Sequence, residues 1–551
     1  LLVGATSVNA QTFQCTANAG VTPLVRAEGI AELVGDLLLN CSGVVPAGGI
    51  TSNIRIFANT TVTSKLFGSI DTLPQPSEAL LLINDPLPAS QIFRGANSID
   101  NTANPNAFQG TAYATNVVDW YSIPIAAAGE AGTTVTKTIR ITNIRANAAQ
   151  LGVSTTLIPQ PIQLSISISG STSVGVNNPT QTVAWVQRSL SFSTSTVSLK
   201  QCEDPGKASV NLTFREGFAS AFKARGDVMQ QIPGVSYNTE SGLIPAAAPA
   251  LGYATQGTRL MARFTDVPNG VTIVVPIQLT TAHMTLQAVF DTDPNGLGGD
   301  VTTGIGTLNT STSTGALKLV YEVTAAGADS IGTNEVVTVP MTFQFTGTPA
   351  VTTGSGMRVR GSYAPISTAT AASSDDPAPR FLDTSSELPG VLWIAPCTTT
   401  LLFPYVTNAA GFDTGIAISN TSKDPFSTVN QGGVCYLNYY GNVPATGGAA
   451  PPEVTTPEVE TGEQLAFIVS SGGSVVGTSK TCAQCATPGF HGYIIAICNF
   501  QYAHGFAFVS DIGSANLAEG YLALVIPSKS SREAQSFSLG AWTNDGEQLV
   551  Y

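Results

Sequence analysis

The chain has 551 residues, of which 43% are hydrophobic and only 11% charged, with a net charge of −13; globular proteins average about 25% charged. With 23 Lys and Arg and no basic cluster, it lacks the cations that displace counterions from nucleic acid or hold an anionic membrane surface. Moderate hydrophobicity with few charges is also not a disorder signature, and 54 Gly and 33 Pro among Thr- and Val-rich runs point to a β-rich extracellular protein.

The chain opens LLVGATSVNAQTFQC. Val8 and Ala10 occupy the −3 and −1 positions of a small-residue cleavage site, so residues 1–10 read as the tail of a secretory signal. Retained, residues 1–14 form an apolar N-terminal extension and the leading candidate for a donor strand. About fifteen extended residues span roughly 50 Å, and Cys15 would anchor the base of the strand.

GIAELVGDLLLN follows, with Ile30, Leu33, Val34, Leu37 and Leu38 at helical spacing. Gly35-Asp36 interrupts the pattern, and the continuous leucines suit a buried strand equally. PIQLSISISG alternates strictly, with Ile162, Leu164, Ile166 and Ile168 on one face. VVTVPMTFQF does the same with Val337, Val339, Met341, Phe343 and Phe345. Such alternation predicts half-buried strands of antiparallel sheets, and Pro340 marks an edge strand or bulge. FASAFKARGDVM (218–229) is the better helix candidate. Short β-like runs separated by turn residues continue to the end of the chain.

The predicted fold is all-β: multidomain antiparallel β-sandwiches, Ig-like or jelly-roll-like, with very little helix. The expected organisation is a sandwich over 15–200, a second over 201–364, a Ser-, Ala-, Asp- and Pro-rich linker over 365–390, and a third sandwich over 391–551. NVPATGGAAPPEVTTPEVETGE (442–463) reads as a long exposed loop. No apolar run reaches the roughly 18–20 residues of a membrane helix, and DGEQLVY at the end does not suit a membrane barrel.

Eight cysteines, Cys15, Cys41, Cys202, Cys397, Cys435, Cys482, Cys485 and Cys498, are all disulfide candidates. Eight allow 105 pairings; Cys15 with Cys41 and Cys435 with Cys498 are the best local guesses. TCAQCATPGFH holds a C-x-x-C and His491. Ala486 after Cys485 excludes c-type haem attachment, and no βαβ pattern supports a redox thiol pair.

FDTDPNGLGGD offers Asp291, Asp293, Asn295 and Asp300 as calcium ligands, matching the first half of a D-x-D-x-N-G loop. Thr302 stands where a bidentate carboxylate is expected, and Asp-Pro-Asn-Gly is also a ready-made turn. Calcium is thus the one cofactor the sequence offers, as an alternative to none. Only three histidines exist, His283, His491 and His504, and no GxSxG elbow accompanies them. Asp119-Trp120-Tyr121 is a candidate sugar platform, against ordinary packing. No catalytic set is visible, so the expectation is a non-enzyme.

VRAEGIAELVGDLLLNCSG (25–43), SEALLLINDP (77–86), TFREGFASAFKAR (213–225), FPYVTNAAGFDTGIAISNTSKDPF (403–426) and GYIIAICNFQYAHGFAFVSDIG (492–513) resemble segments of large secreted β-rich proteins common in acidobacterial genomes. The resemblance implies export and a bacterial source and transfers no site residue. In character, without matching motifs, the chain is similar to extracellular filament subunits that polymerise by donor-strand complementation.

The function expected is therefore a structural subunit of an extracellular filament or surface assembly, with itself as partner. The alternative is a monomeric secreted adhesin or carbohydrate-binding protein, calcium-stabilised and directed at surface glycans. A secreted hydrolase ranks last, because His and charge are scarce.

Overall fold

The structure, a computed structural model, describes residues 12–526 except 69–71, 97–102, 153–157, 171, 203–207, 227–238, 328–329, 331, 347–348, 427, 429, 444–446 and 512–516, together with 537–538 and 541–542. Among the described residues every long element is a strand, and the only helical pieces are three-residue 3-10 turns. The fold is all-β, with three large hydrophobic cores and two smaller clusters among the described residues.

The first sandwich is one continuous twelve-stranded sheet folded over on itself. One half contains Gln14–Ala19, Leu37–Val44, Thr134–Thr142 and Gln75–Ile83; the other contains Val117–Ala126, Ile50–Ala58, Gln160–Gly170 and Thr180–Gln187. Alternation explains the closure. Leu37, Leu39 and Ile139 from one half share a core with Ile54, Trp120, Ile162 and Leu164 from the other, while Gln163 and other intervening residues face water.

The second sandwich has a five-stranded and an eight-stranded sheet. Its Val336–Phe345 strand buries Val337, Val339, Met341 and Phe343 as the alternation predicts. Pro340 sits opposite Asn211 of the Ser209–Glu216 strand, whereas the neighbour on the other side, Val271–Pro276, pairs only with Thr342–Phe345. Pro340 thus occupies an edge position within a strand that is interior further along.

The third sandwich has two six-stranded sheets. One contains Cys435–Val443, His491–Cys498, Thr399–Thr407 and Leu524–Ile526; the other contains Gly472–Val475, Gln464–Ile468, Phe412–Asn420, Ala503–Asp511 and Ala518–Leu522.

Four sequence expectations are corrected. Residues 218–226 form a turn, not a helix: Phe218, Ala221 and Phe222 are buried, and the Phe222 and Lys223 amides donate to Glu216 Oε1 and Thr258 Oγ1 instead of to carbonyls four residues back. Residues 227–229 lie outside the described residues. The boundary expected near Gln201 falls earlier, because Leu190–Thr194 and Val197–Lys200 pair within the sheets of the second sandwich.

The 365–390 linker is also packed. Phe381 and Arg380 are fully buried, Phe381 bridges to Gly29, and Glu387–Ala395 is a strand of the second sandwich. Its polar composition hides these anchors. Finally, the expected 1–14 extension is shorter: Phe13 is buried in the first core, and Gln14 pairs with Ser42 and Gly175. Residues 1–11, the remainder of the donor-strand segment, lie outside the described residues.

Candidate functional site

The cysteines form four disulfides: Cys15–Cys41, Cys202–Cys397, Cys435–Cys498 and Cys482–Cys485. Cys15 and Cys41 are direct cross-strand partners, as are Cys435 and Cys498, so the strand pattern places each pair in register. Cys482 and Cys485 close a 3-10 turn and are spent on each other rather than on a metal.

The candidate calcium loop is built as a turn. Asp293 Oδ1 accepts from the amides of Asn295 (2.9 Å) and Leu297 (2.8 Å). Asp291 adopts a left-handed conformation, φ 54°, and Asp300 lies in a two-residue strand against Phe290. The Lys318 ammonium donates to the carbonyls of Thr292 and Asp293, putting a positive charge on oxygens a cation would want. Among the described residues no group of three or more His, Cys, Asp or Glu stands close enough to hold a metal ion.

The histidines are apart from one another. His283 Nδ1 meets Glu335 Oε1 at 2.6 Å, His491 packs edge-on to Tyr405 with Nδ1 3.3 Å from Thr407 Oγ1, and His504 lies opposite Ser419. Asp119-Trp120-Tyr121 splits by alternation. The Trp120 indole is buried over Gly110, where a Cβ would meet the ring at 3.0 Å. Asp119 accepts from Arg55 Nε and Nη2 at 2.6 Å each and from the Tyr121 hydroxyl at 2.6 Å. Burial and the Asp119 carboxylate push the Tyr121 hydroxyl up to about 12. Exposed Phe57, Tyr113 and Tyr121 surround this pair, with the Arg55 guanidinium 4.8 Å from the Tyr113 ring.

Between the first and second sandwiches lies a buried ionic joint that sequence reading missed. Arg26 donates to Glu32 Oε1 (2.8 Å), to both carboxylate oxygens of Glu240 (2.7 and 3.0 Å) and to Thr258 Oγ1 (2.9 Å). Arg145 pairs with Glu78 at 2.8 Å and donates to the Glu240 carbonyl at 2.7 Å. Burial opposes the charge on Arg26, but Glu240 and Glu32 outweigh it and hold its pKa above the usual value. Burial likewise opposes ionisation of Glu240, and Arg26 reverses that, keeping the carboxyl below its usual range. The signal available in sequence was charge inside apolar runs, as in VRAEGIAELV.

A cavity of about 490 Å³ adjoins this joint, lined in part by Glu28, Arg188, Phe192, Ser362, Tyr363 and Leu382. Burial raises the Glu28 carboxyl above its ordinary value, while a Ser189 hydroxyl at 2.6 Å pulls the other way.

The outer surfaces of the third sandwich are unusual. On one sheet, Ile468, Gly415, Phe508 and Gly520 lie side by side, and Ala466, Ala417, Phe506 and Leu522 form the adjacent row. Phe506 and Phe508 are 43% and 44% exposed. Gly520 makes room for a ring, since a Cβ there would meet Phe506 at 2.7 Å. Ser419, His504 and Gln464 continue this face.

On the other sheet, exposed Tyr440 stacks on Tyr493 at 5.0 Å, with Tyr405 beside them. Asn438, Ile495 and Leu402 form the next row, and Tyr436, Ile497 and Thr400 the one beyond. None of these residues is Asp, Glu, Lys or Arg. The available signal was AHGFAFVS, where phenylalanine replaces the polar half of the alternation.

No protein-family model matches this chain, and no curated protein matches it. Among solved structures it is similar to the serine-rich repeat adhesion glycoprotein of Streptococcus agalactiae, at 8% identity over 68% of this chain and 97% of that one, TM-score 0.18. It is similar to the pilus backbone protein of Streptococcus pneumoniae, at 10% identity over 98% and 100%, TM-score 0.16. It is also similar to the major pilin subunit of Bacillus cereus, at 7% identity over 85% and 92%, TM-score 0.19. At these scores the chains do not superpose as wholes, and the functional reading rests on the surfaces just described.

Proposed function

We propose that the chain is a structural subunit of an extracellular assembly, joined to copies of itself. The observation that carries this reading is the pair of exposed clusters on the two outer sheets of the third sandwich, Phe506, Phe508, Ile468 and Leu522 on one and Tyr440, Tyr493 and Tyr405 on the other. A sandwich ordinarily turns polar residues outward, and contiguous exposed apolar surface marks a protein–protein site. Four closed disulfides suit an oxidising compartment outside the cell.

The finer mechanism is strand complementation. Residues 1–11 are the proposed donor. The proposed acceptor is the Thr399–Thr407 strand, whose outer edge pairs with Leu524–Ile526 only over Thr400–Leu402 among the described residues; beyond it an incoming strand would replace the side-chain bonds of Tyr521 to the Tyr405 carbonyl and of Thr414 to the Thr407 backbone. An edge of this kind is a template for an incoming strand. The reading assigns the chain no catalytic chemistry.

Electron microscopy and light scattering of the oxidised full chain over a concentration series test the proposal. Growing assemblies that disappear on deleting residues 1–11 are expected. Persistent monomers at every concentration would remove the reading. A second reading, a glycan-binding adhesin, draws on exposed Phe57, Tyr113 and Tyr121 around the Arg55–Asp119 pair. Glycan-array binding lost in Tyr121→Ala by a monomeric protein would favour it.

A further inference from the structure

Most buried glutamates of this chain are matched to a cation. Glu32, Glu78, Glu240 and Glu322 each meet an arginine, and Glu335 meets His283. Glu216 lacks one and takes the amides of Phe222 and Glu335 instead. Glu28 is buried too and forms no ion pair among the described residues. Its carboxyl accepts from Ser189, from the hydroxyl at 2.6 Å and from the amide at 3.3 and 3.4 Å. Taking a carboxylate out of water without a cation is costly, and burial holds the Glu28 carboxyl above its ordinary value.

Glu28 lies on the wall of the cavity of about 490 Å³ beside the joint of the first and second sandwiches. Small-molecule sites occupy roughly 300–1,000 Å³ and favour domain interfaces. Leu190, Phe192 and Leu388 line the same cavity and are only half-buried against the second core. Arg188 lines it as well. It is exposed, and it makes no ion pair or side-chain hydrogen bond among the described residues. One cavity thus holds an unmatched carboxyl, an unmatched guanidinium and uncovered apolar wall. The two charges are neighbours, because Glu28 is bonded to Ser189, the residue after Arg188.

We propose that this cavity binds a free α-amino acid with an apolar side chain, its ammonium on Glu28, its carboxylate on Arg188 and its side chain against Leu190, Phe192 and Leu388. An α-amino acid carries both charges on one carbon, which suits a carboxyl and a guanidinium held side by side. An amine alone would meet the like charge of Arg188, and a carboxylate alone the like charge of Glu28. The ammonium supplies the cation that Glu28 lacks, and charge-assisted hydrogen bonds of this kind are the strong ones.

The ligand would touch both sandwiches. Glu28 follows the Leu24–Arg26 strand of the first, and Arg188 and Ser189 connect Thr180–Gln187 of the first to Leu190–Thr194 of the second. A ligand that binds only the folded chain raises its melting temperature, so occupancy should stabilise the first two sandwiches together. The site uses neither residues 1–11 nor the third sandwich and does not depend on whether the chain assembles.

Isothermal titration calorimetry and thermal unfolding of the oxidised full chain test this with L-leucine, N-acetyl-L-leucine, isopentylamine and glucose. L-Leucine is expected to bind saturably and to raise the melting temperature of the first two sandwiches. N-Acetyl-L-leucine lacks the ammonium and isopentylamine lacks the carboxylate. Each should bind about tenfold more weakly or worse, the loss of one hydrogen bond to a charged group. Glu28→Gln should lose the preference for L-leucine over N-acetyl-L-leucine, and Arg188→Gln the preference over isopentylamine. Circular dichroism checks both folds; Arg188 is exposed, so its variant tests the site even if Glu28→Gln does not fold.

No saturable heat from L-leucine overturns the inference. So does N-acetyl-L-leucine or isopentylamine binding as tightly as L-leucine, or an undiminished L-leucine affinity in Arg188→Gln. Glucose binding in place of L-leucine would make the cavity a neutral polyol site and overturn it as well.

Discussion

Arg26 and Glu240 are 214 residues apart and meet in a bidentate pair, Nη1 to Oε1 at 2.7 Å and Nη2 to Oε2 at 3.0 Å, with both side chains buried. Arg26 belongs to the first sandwich. Glu240 is anchored through Thr258 at 2.5 Å, beside the Arg259–Thr265 strand of the second. The Arg26 guanidinium also lies 4.7 Å from the centre of the Phe381 ring. Leu243 and Leu251 from the same segment as Glu240 pack on Leu80 and Leu82 of the first sandwich. Charge pairing and apolar burial together join the two sandwiches.

Arg26→Met should therefore uncouple them. It leaves Glu32 and Glu240 buried without their hydrogen-bonded guanidinium, with only the buried Lys223 ammonium to offset their charge, where a broken buried pair costs roughly 3–5 kcal/mol. Thermal unfolding of wild type is expected to show the first and second sandwiches melting together, and the variant to split that transition. A single unshifted transition in Arg26→Met would show that the joint does not depend on this pair.

The Cys435–Cys498 bridge closes 63 residues of the third sandwich. On the chain-entropy account a loop of that length stabilises by about 4 kcal/mol. Cys435→Ala/Cys498→Ala should lower the unfolding midpoint of the third sandwich by that order and leave the first two in place. Urea titration followed by proteolysis of each region reads the difference. An unchanged third transition would count against the bridge as a main support.

Strands were legible where one side chain in two is apolar, as at Ile162, Leu164 and Ile166, because a period of two has one structural meaning. The cross-strand cysteines followed from the same pattern. Long-range pairs such as Arg26–Glu240 were not legible, since a lone charge in an apolar run does not name its partner. The 365–390 stretch misled because composition averages over Phe381 and Arg380, the two residues that bury it. The faces of the third sandwich were hidden for a different reason. In AHGFAFVS both halves of the alternation are apolar, so the pattern gives the strand but not which side meets the core. The inward positions are Ala503, Gly505 and Ala507, the smaller set, because Phe403 already fills that space against Gly505.

Lys318 makes a prediction about calcium. Its ammonium sits on the Thr292 and Asp293 carbonyls, and Asp293 Oδ1 is spent on two amides. A divalent ion entering this loop would have to displace a like charge. Chelator is expected to leave the melting temperature unchanged, and added calcium to give no saturable heat by calorimetry. Lys318→Met removes the resident charge and should loosen the 291–300 loop without creating tight calcium binding. A chelator-sensitive melting temperature in wild type would restore the calcium reading.

Glu216 should give the second sandwich a pH dependence of unusual sign. The carboxyl is buried, which pushes its pKa up to about 7, while the amides of Glu335 and Phe222 pull against that shift. The nearby Glu335 carboxylate adds to the rise. A carboxyl whose folded pKa lies above its unfolded value favours folding while it is protonated. Its contribution is therefore full below about pH 4.5 and is lost as pH rises through about 7. A shift of that size corresponds to about 3 kcal/mol. Glu28 is raised by burial too and acts in the same direction, so the wild-type slope alone does not isolate Glu216. The comparison with Glu216→Gln does. The neutral amide cannot ionise, although its NH₂ meets one of the two amide donors and costs about 1–3 kcal/mol at every pH. The stability gap between wild type and Glu216→Gln should be widest near pH 4.5 and narrow towards pH 8, read from urea midpoints of the second sandwich across that range. A gap that stays constant with pH would mean that Glu216 ionises alike in the folded and unfolded chain, and that burial is not what governs its charge.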